Sequence, residues 1–119
     1  MELDYGVYFK KSEFACNCCG YSQMNQALLD SLNQVRMLAD VPFIVCSGYR
    51  CTKHNKQIGG VEHSAHTKGL AVDILANEET RVKIIHSAYV VGVERVGIYE
   101  DFIHLDIDTS KKLVSWLGD

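Results

Sequence analysis

Between Asn25 and Ala39 the apolar side chains fall at Leu28, Leu29, Leu32, Val35 and Leu38 or Ala39, with Asp30, Asn33, Gln34 and Arg36 between them. Three- and four-residue spacing lays one apolar stripe along a helix of about four turns. Asn25 offers a side-chain oxygen for the N-cap, and Pro42 follows the end. Phe43-Ile44-Val45-Cys46 is a continuous apolar run that predicts a buried strand, closed by Ser47-Gly48. Thr52 to Ile58 has room for one or two helical turns, Gly59-Gly60 interrupts the chain, and Val61 to Gly69 reads as a loop. Leu70 to Leu75 predicts a strand with a carboxylate, Asp73, in its middle. Glu78 to Val91 carries Val82, Ile85, Ala88 and Tyr89 or Val91 at helical spacing, and Gly92 supplies a stop. Arg95–Tyr99 and Phe102–Asp108 predict two strands joined at Glu100-Asp101, a hairpin-like spacing. Ser110 is placed to cap a last short helix holding Leu113, Val114, Trp116 and Leu117. The stretch from Met1 to Tyr21 is polar and turn-like, with Phe9, Phe14 and three cysteines as anchors. Helices and strands mix without regular βαβ alternation, which predicts an α+β domain with a mainly antiparallel sheet and flanking helices.

Length and composition narrow the classes. A chain of 119 residues is expected to form one domain over 1–119. With 47% hydrophobic and 23% charged residues the composition is that of a globular protein. No apolar run approaches the ~20 residues needed to span a bilayer, so no membrane insertion is expected. The net charge of −3 argues against a nucleic-acid binder that works by charge alone. Met1-Glu2-Leu3-Asp4-Tyr5-Gly6 lacks the basic and apolar regions of a signal peptide. The chain is therefore expected to stay in the cytoplasm or to leave by a route that needs no cleavable signal. A monomer is expected.

The candidate chemistry lies on the last two polar-interrupted strands. In Phe102–Asp108, alternation puts Phe102, His104, Asp106 and Asp108 on one face and Ile103, Leu105 and Ile107 on the other. If the apolar face turns to the core, the opposite face is a wall carrying an imidazole and carboxylates. A charge at Asp73, between Val72 and Ile74, is expensive to bury unless it is paired or ligates a metal. His66 lies seven residues earlier, in a loop able to fold back over that strand. Two imidazoles and one carboxylate form a common catalytic zinc set with a fourth position open, although the same donors suit manganese or iron. Taken singly, each of these residues is more often an ordinary surface or ion-pair residue; the combination is what points to a site.

The residues Ser64-Ala65-His66-Thr67-Lys68-Gly69-Leu70-Ala71-Val72-Asp73 fit the pattern S-x-H-x-x-G-x-A-x-D. This resembles the zinc D-Ala-D-Ala peptidases of peptidase family M15. Ser47-Gly48-Tyr49-Arg50, His54-Asn55 and Gly59-Gly60 are similar to that family's S-G-Y-R…H-N…G-G segment, and Gly97-Ile98-Tyr99…Phe102-Ile103-His104-Leu105-Asp106 to its ending. The resemblance runs from about Phe9 to Trp116 and is nearest to small domains found in bacteria and in phage lysis genes. It implies the fold shared with the hedgehog signalling domain. It also implies that His66, Asp73 and His104 ligate one Zn²⁺ and that Arg50 meets the carboxylate or oxyanion of the substrate. Ser64 would line the substrate site, Gly69 would give the loop room near the metal, and Asp106 would brace the edge of the site. The family's general base, three residues before the last histidine ligand, falls at Asp101, with Glu100 beside it as the alternative. An acidic pair at a strand junction is also an ordinary polar turn.

The other histidines are expected at the rim (His63), in a structural role (His54) and at a helix surface (His86), and the absence of H-E-x-x-H excludes a zincin. The odd number of cysteines, five, forbids complete internal pairing. Cys16, Cys18 and Cys19 cluster in sequence, while Cys46 and Cys51 flank Ser47–Arg50. Three readings stay open: reduced packed thiols, one disulfide from the N-terminal segment to Cys46 or Cys51, or a second, structural metal site. C-x-C-C with two distant cysteines does not fit a usual zinc-knuckle spacing, and relatives in the family it resembles carry cysteines in an F-x-C…C-G stretch before the first helix, so the resemblance makes packing or bracing the default. The resemblance implies a metallopeptidase acting on peptidoglycan stem peptides next to D-alanine, as a carboxypeptidase or an endolysin-type endopeptidase. A non-enzymatic zinc-containing binding or virion structural domain of the same fold is the alternative.

Overall fold

A computed structural model of the chain describes residues 2–118. Met1 and Asp119, the ends of the expected domain, lie outside the described residues. Helix α1 spans Gln26–Ala39, and the side chain of Asn25 caps it by accepting from the N–H groups of Ala27 and Leu28. Its buried stripe is Leu28, Leu29, Leu32, Val35 and Ala39, while Leu38 turns outward. Helix α2 is the short Thr52–Gln57, and α3 spans Glu78–Val91 and ends at Gly92 in the left-handed region. The strands are β1 (Val45–Ser47), β2 (Ala71–Leu75), β3 (Arg95–Ile98), β4 (Phe102–Asp106) and β5 (Ser115–Leu117).

They form one sheet in the order β1-β2-β4-β3-β5, antiparallel throughout except for the parallel pair β3–β5. With α1 packed on α3 and α3 on β4, this is the expected α+β class. Leu28, Leu32 and Val35 share one core with Val72, Ile74, Val96, Ile103 and Leu105 from the sheet. Phe9 and Phe14 close that core from the N-terminal segment, 5.5 Å apart edge to face. The radius of gyration of 13.2 Å is close to the ~13.5 Å expected for one compact domain of this length. No described helix is long and apolar enough to cross a membrane.

Four local expectations change. The run Phe43–Cys46 is not a buried strand: β1 starts at Val45 on the edge of the sheet, where Ile44 and Cys46 are exposed. A continuous apolar run does not show whether a strand is central or at an edge. Helix α3 buries Ile84, Ser87 and Ala88, with Val82 and Tyr89 exposed, so its inner face is rotated from the one its apolar residues suggest. The loop before β2 contains a 3₁₀ turn, Ala65–Lys68. The final helix is absent: Ser115–Leu117 is a strand, and Ser110 bonds the carboxylate of Asp108 through both its N–H and its hydroxyl. A side chain at Gly97 would strike the Trp116 ring at 2.7 Å, so this glycine is what lets β5 lie against β3.

Candidate metal centre and substrate cleft

The register of the sheet aligns Ser47, Asp73, His104, Gly97 and Trp116 as successive partners across all five strands. Partners in register present their side chains to the same face, so Asp73 and His104 meet directly. His104 Nδ1 lies 2.8 Å from Asp73 Oδ1. The 3₁₀ turn brings His66 over this row: Ser64 caps the turn by accepting from His66 N–H, and Leu70 N–H closes it by donating to Ala65. His66 Nε2 then lies 3.2 Å from Asp73 Oδ2, and the two imidazole rings are 5.1 Å apart. Nitrogen and oxygen atoms of all three residues lie within 4.8 Å of one another.

The free valences of this trio suit a cation. His66 Nδ1 is 2.8 Å from the carbonyl of Gly48, which fixes the ring as an Nδ1–H donor and leaves a lone pair on Nε2. That Nε2 is buried without a hydrogen-bond partner, because its approach to Asp73 lacks hydrogen-bond geometry. On the other side, His104 Nε2 is 2.7 Å from Asp106 Oδ2, which leaves Nδ1 facing Asp73. Asp106 is held in turn by Arg95, whose Nε donates to Oδ1 at 2.7 Å. Burial pushes the Asp73 carboxyl up, but the hydrogen bond from His104 and the nearby imidazole of His66 outweigh it and hold the group well below the usual carboxylate range. Burial draws His104 down, and the two flanking aspartates more than reverse this, raising its pKa. An acceptor carboxylate and two oriented imidazoles, one with an orphaned buried nitrogen, fit a small divalent ion better than they fit each other.

The trio forms the floor of an open cleft of about 440 Å³. Arg50, Ser64, Tyr99, Phe102 and Trp116 form much of its wall. Arg50 is steered by Asn55, whose Oδ1 accepts from Nη1 at 2.9 Å, while Nε of Arg50 is buried and unpartnered. Asn55, of the His54-Asn55 pair, is thus the residue that aims the arginine, and His54 is not part of that contact. Trp116 lies over His104 at 5.3 Å between ring centres and donates its indole N–H to Tyr99 at 3.0 Å. Sequence reasoning gave no site role to Asn55, Tyr99, Trp116 and Arg95; the register of β3 with β4 and β5 reveals Arg95 and Trp116. Gly69 adopts the left-handed region against the backbone of Gln23 rather than against the trio.

Asp101 and Glu100 are exposed in the β3–β4 turn, and neither lines the cleft, although their neighbours Tyr99 and Phe102 do. The Asp101 carbonyl accepts from Ala76 N–H, which pins the turn to the end of β2. His63 and His86 are exposed, as expected. Cys46 stands apart and donates to the Asp73 carbonyl, whereas Cys16, Cys18, Cys19 and Cys51 come together. No curated protein matches the chain in sequence. The family model described as Peptidase M15 matches residues 7–106, which include every strand except β5 and all three residues of the trio. With a donor set suited to the metal on which such peptidases depend, the chain belongs to the peptidase M15 family.

Proposed function

We propose that the chain is a zinc peptidase that hydrolyses peptidoglycan stem peptides at a bond next to D-alanine, acting as a carboxypeptidase. The reading rests on one observation: Arg50, whose Nε is buried without a partner, lines the same cleft as the His66–Asp73–His104 trio. His66, Asp73 and His104 would hold a divalent ion, which would supply Lewis acidity for amide hydrolysis. A guanidinium facing it suits a substrate whose reacting amide lies close to a free carboxylate. Ser64 lines the approach to the trio.

Asp73 is engaged by His104, and Asp106 by His104 and Arg95, which leaves Asp101, with Glu100 beside it, to carry the proton to the leaving amine. Both are exposed in a turn between Tyr99 and Phe102, which line the cleft, and neither lines it itself. That position is also the observation favouring the second reading, a zinc-containing binding domain without turnover.

The test is to incubate the zinc-loaded protein with purified peptidoglycan and with soluble stem peptides and to identify the products by mass. Release of free D-alanine supports the carboxypeptidase reading. Cleavage within cross-links supports an endolysin-type endopeptidase instead. Zinc binding with no cleavage of any wall type supports the binding domain.

A further inference from the structure

We infer that Cys16, Cys18, Cys19 and Cys51 form a second metal centre, a structural tetrathiolate site for Zn²⁺ separate from the histidine–aspartate trio. Four sulfur atoms from two distant parts of the chain lie within 4.8 Å of one another. The separations are 3.3 Å for Cys18–Cys51, 3.6 Å for Cys16–Cys18 and 3.7 Å for Cys16–Cys51. A tetrahedral zinc with bonds of about 2.3 Å spaces its sulfurs about 3.8 Å apart, so the thiols already stand near the corners that such an ion requires. None of these three pairs approaches the ~2.05 Å of a disulfide.

Hydrophobic packing does not account for the cluster. Cys18 and Cys19 are exposed, Cys51 is half-buried and only Cys16 is buried, so two of the four thiols gain little from burial. The backbone instead gathers them. Gly20 N–H donates to the Cys16 carbonyl at 2.8 Å and Cys16 N–H donates to the Tyr21 carbonyl at 2.7 Å, closing a tight turn that turns Cys18 and Cys19 back toward Cys16. Two further N–H groups point at sulfur: Cys51 N–H at Cys16 Sγ and His54 N–H at Cys51 Sγ, each at 3.4 Å. Donors of this kind support thiolate ligands of a metal.

The centre also has a mechanical position. Cys51 directly follows Arg50, and Tyr49 N–H donates to the Phe14 carbonyl at 2.8 Å. A side chain at Gly48 would strike the Phe14 backbone at 2.7 Å, so the two segments are in backbone contact beside the thiols. An ion holding Cys51 to residues 16–19 would staple the segment that aims Arg50 and presents the Gly48 carbonyl to His66.

Metal content of the full chain, purified with zinc under reducing conditions, tests this. The wild type is expected to hold a second equivalent of zinc, and His104→Ala, which removes a ligand of the other site, is expected to keep one. Cobalt loaded into His104→Ala should give intense thiolate-to-cobalt charge-transfer absorption, and Cys18→Ser/Cys19→Ser should lose that band. X-ray absorption of the zinc-loaded His104→Ala protein should show a sulfur-only shell at about 2.3 Å. If His104→Ala does not fold, the cobalt spectrum of the wild type carries the same test. The inference is overturned if no thiolate band appears, or if the mass of the unreduced wild type shows these cysteines joined as disulfides while the protein is metal-loaded.

Discussion

His104 Nε2 and Asp106 Oδ2 lie 2.7 Å apart, two residues along one strand and on one face of it. The carboxylate fixes the ring so that its other nitrogen meets Asp73. Asp106→Asn should therefore weaken metal binding at the trio by about 10–100-fold, the usual effect of losing a carboxylate behind a ligating imidazole. Competition against a chromophoric chelator measures this, and an unchanged affinity removes Asp106 from the site.

In the proposed function Arg50 meets the substrate and not the metal. Arg50→Lys keeps the charge but loses the planar fork, so kcat/KM should fall, by up to the about 10²–10³-fold typical of losing one such donor, with zinc content unchanged. Asn55→Ala should move activity in the same direction, because the amide that steers Arg50 at 2.9 Å is gone. Loss of zinc in either variant contradicts this division of roles.

The turn carboxylates separate enzyme from binder. Asp101→Asn should retain zinc yet lose about 10²–10⁴-fold in turnover, the range typical of general acid–base help. Full activity in Asp101→Asn moves the role to Glu100. Full activity in the double variant Glu100→Gln/Asp101→Asn shows that neither residue carries the proton.

The core makes its own prediction. Leu32 is 1% exposed and sits with Val72, Ile74 and Leu105 in one cluster. Leu32→Ala should cost about 2–5 kcal/mol, read from denaturant unfolding at fixed zinc concentration.

Acid should weaken the segment after β4. Asp108 is buried, which pushes its carboxyl up, but hydrogen bonds from Ser110 and Lys68 outweigh this and lower it to about 2. A depressed folded-state pKa means that this contribution is present above the unfolded value of about 3.9 and is lost as pH falls through about 2. Asp108→Asn should cost about 1–2 kcal/mol near neutral pH, the partly exposed Lys68 limiting the effect. The cost should shrink toward zero at the acid end, as unfolding curves of the two proteins at both pH values will show.

Much of this was legible in the chain because it depends on local spacing. The stripe Leu28–Leu29–Leu32–Val35 and the cap at Asn25 need no partner to be recognised. The alternation in Phe102–Asp106 likewise separates Ile103 and Leu105 from His104. What the sequence hides is set by partners distant along the chain. The edge position of β1 depends on which strand pairs with it, and the inner face of α3 is chosen by its contact with α1. Trp116 looks like part of a short helix until Gly97, nineteen residues earlier, is seen to leave space for it. Cys51 joins Cys16, Cys18 and Cys19 only through the turn at Gly20 and the contact of Gly48 with Phe14. The role of Asn55 follows from the direction of one side chain, which spacing cannot give.

Trp116 is the sole tryptophan of the chain, and it stands over His104 with the Arg95 guanidinium 5.0 Å from its ring. All indole fluorescence thus originates at the cleft. Emission intensity and colour respond to an imidazolium or a cation close to the ring, so metal loading, protonation of His104 and entry of a ligand each leave an optical trace. The protein carries its own label, fixed at the place where events are to be followed, and stopped-flow mixing can time them without attaching a dye.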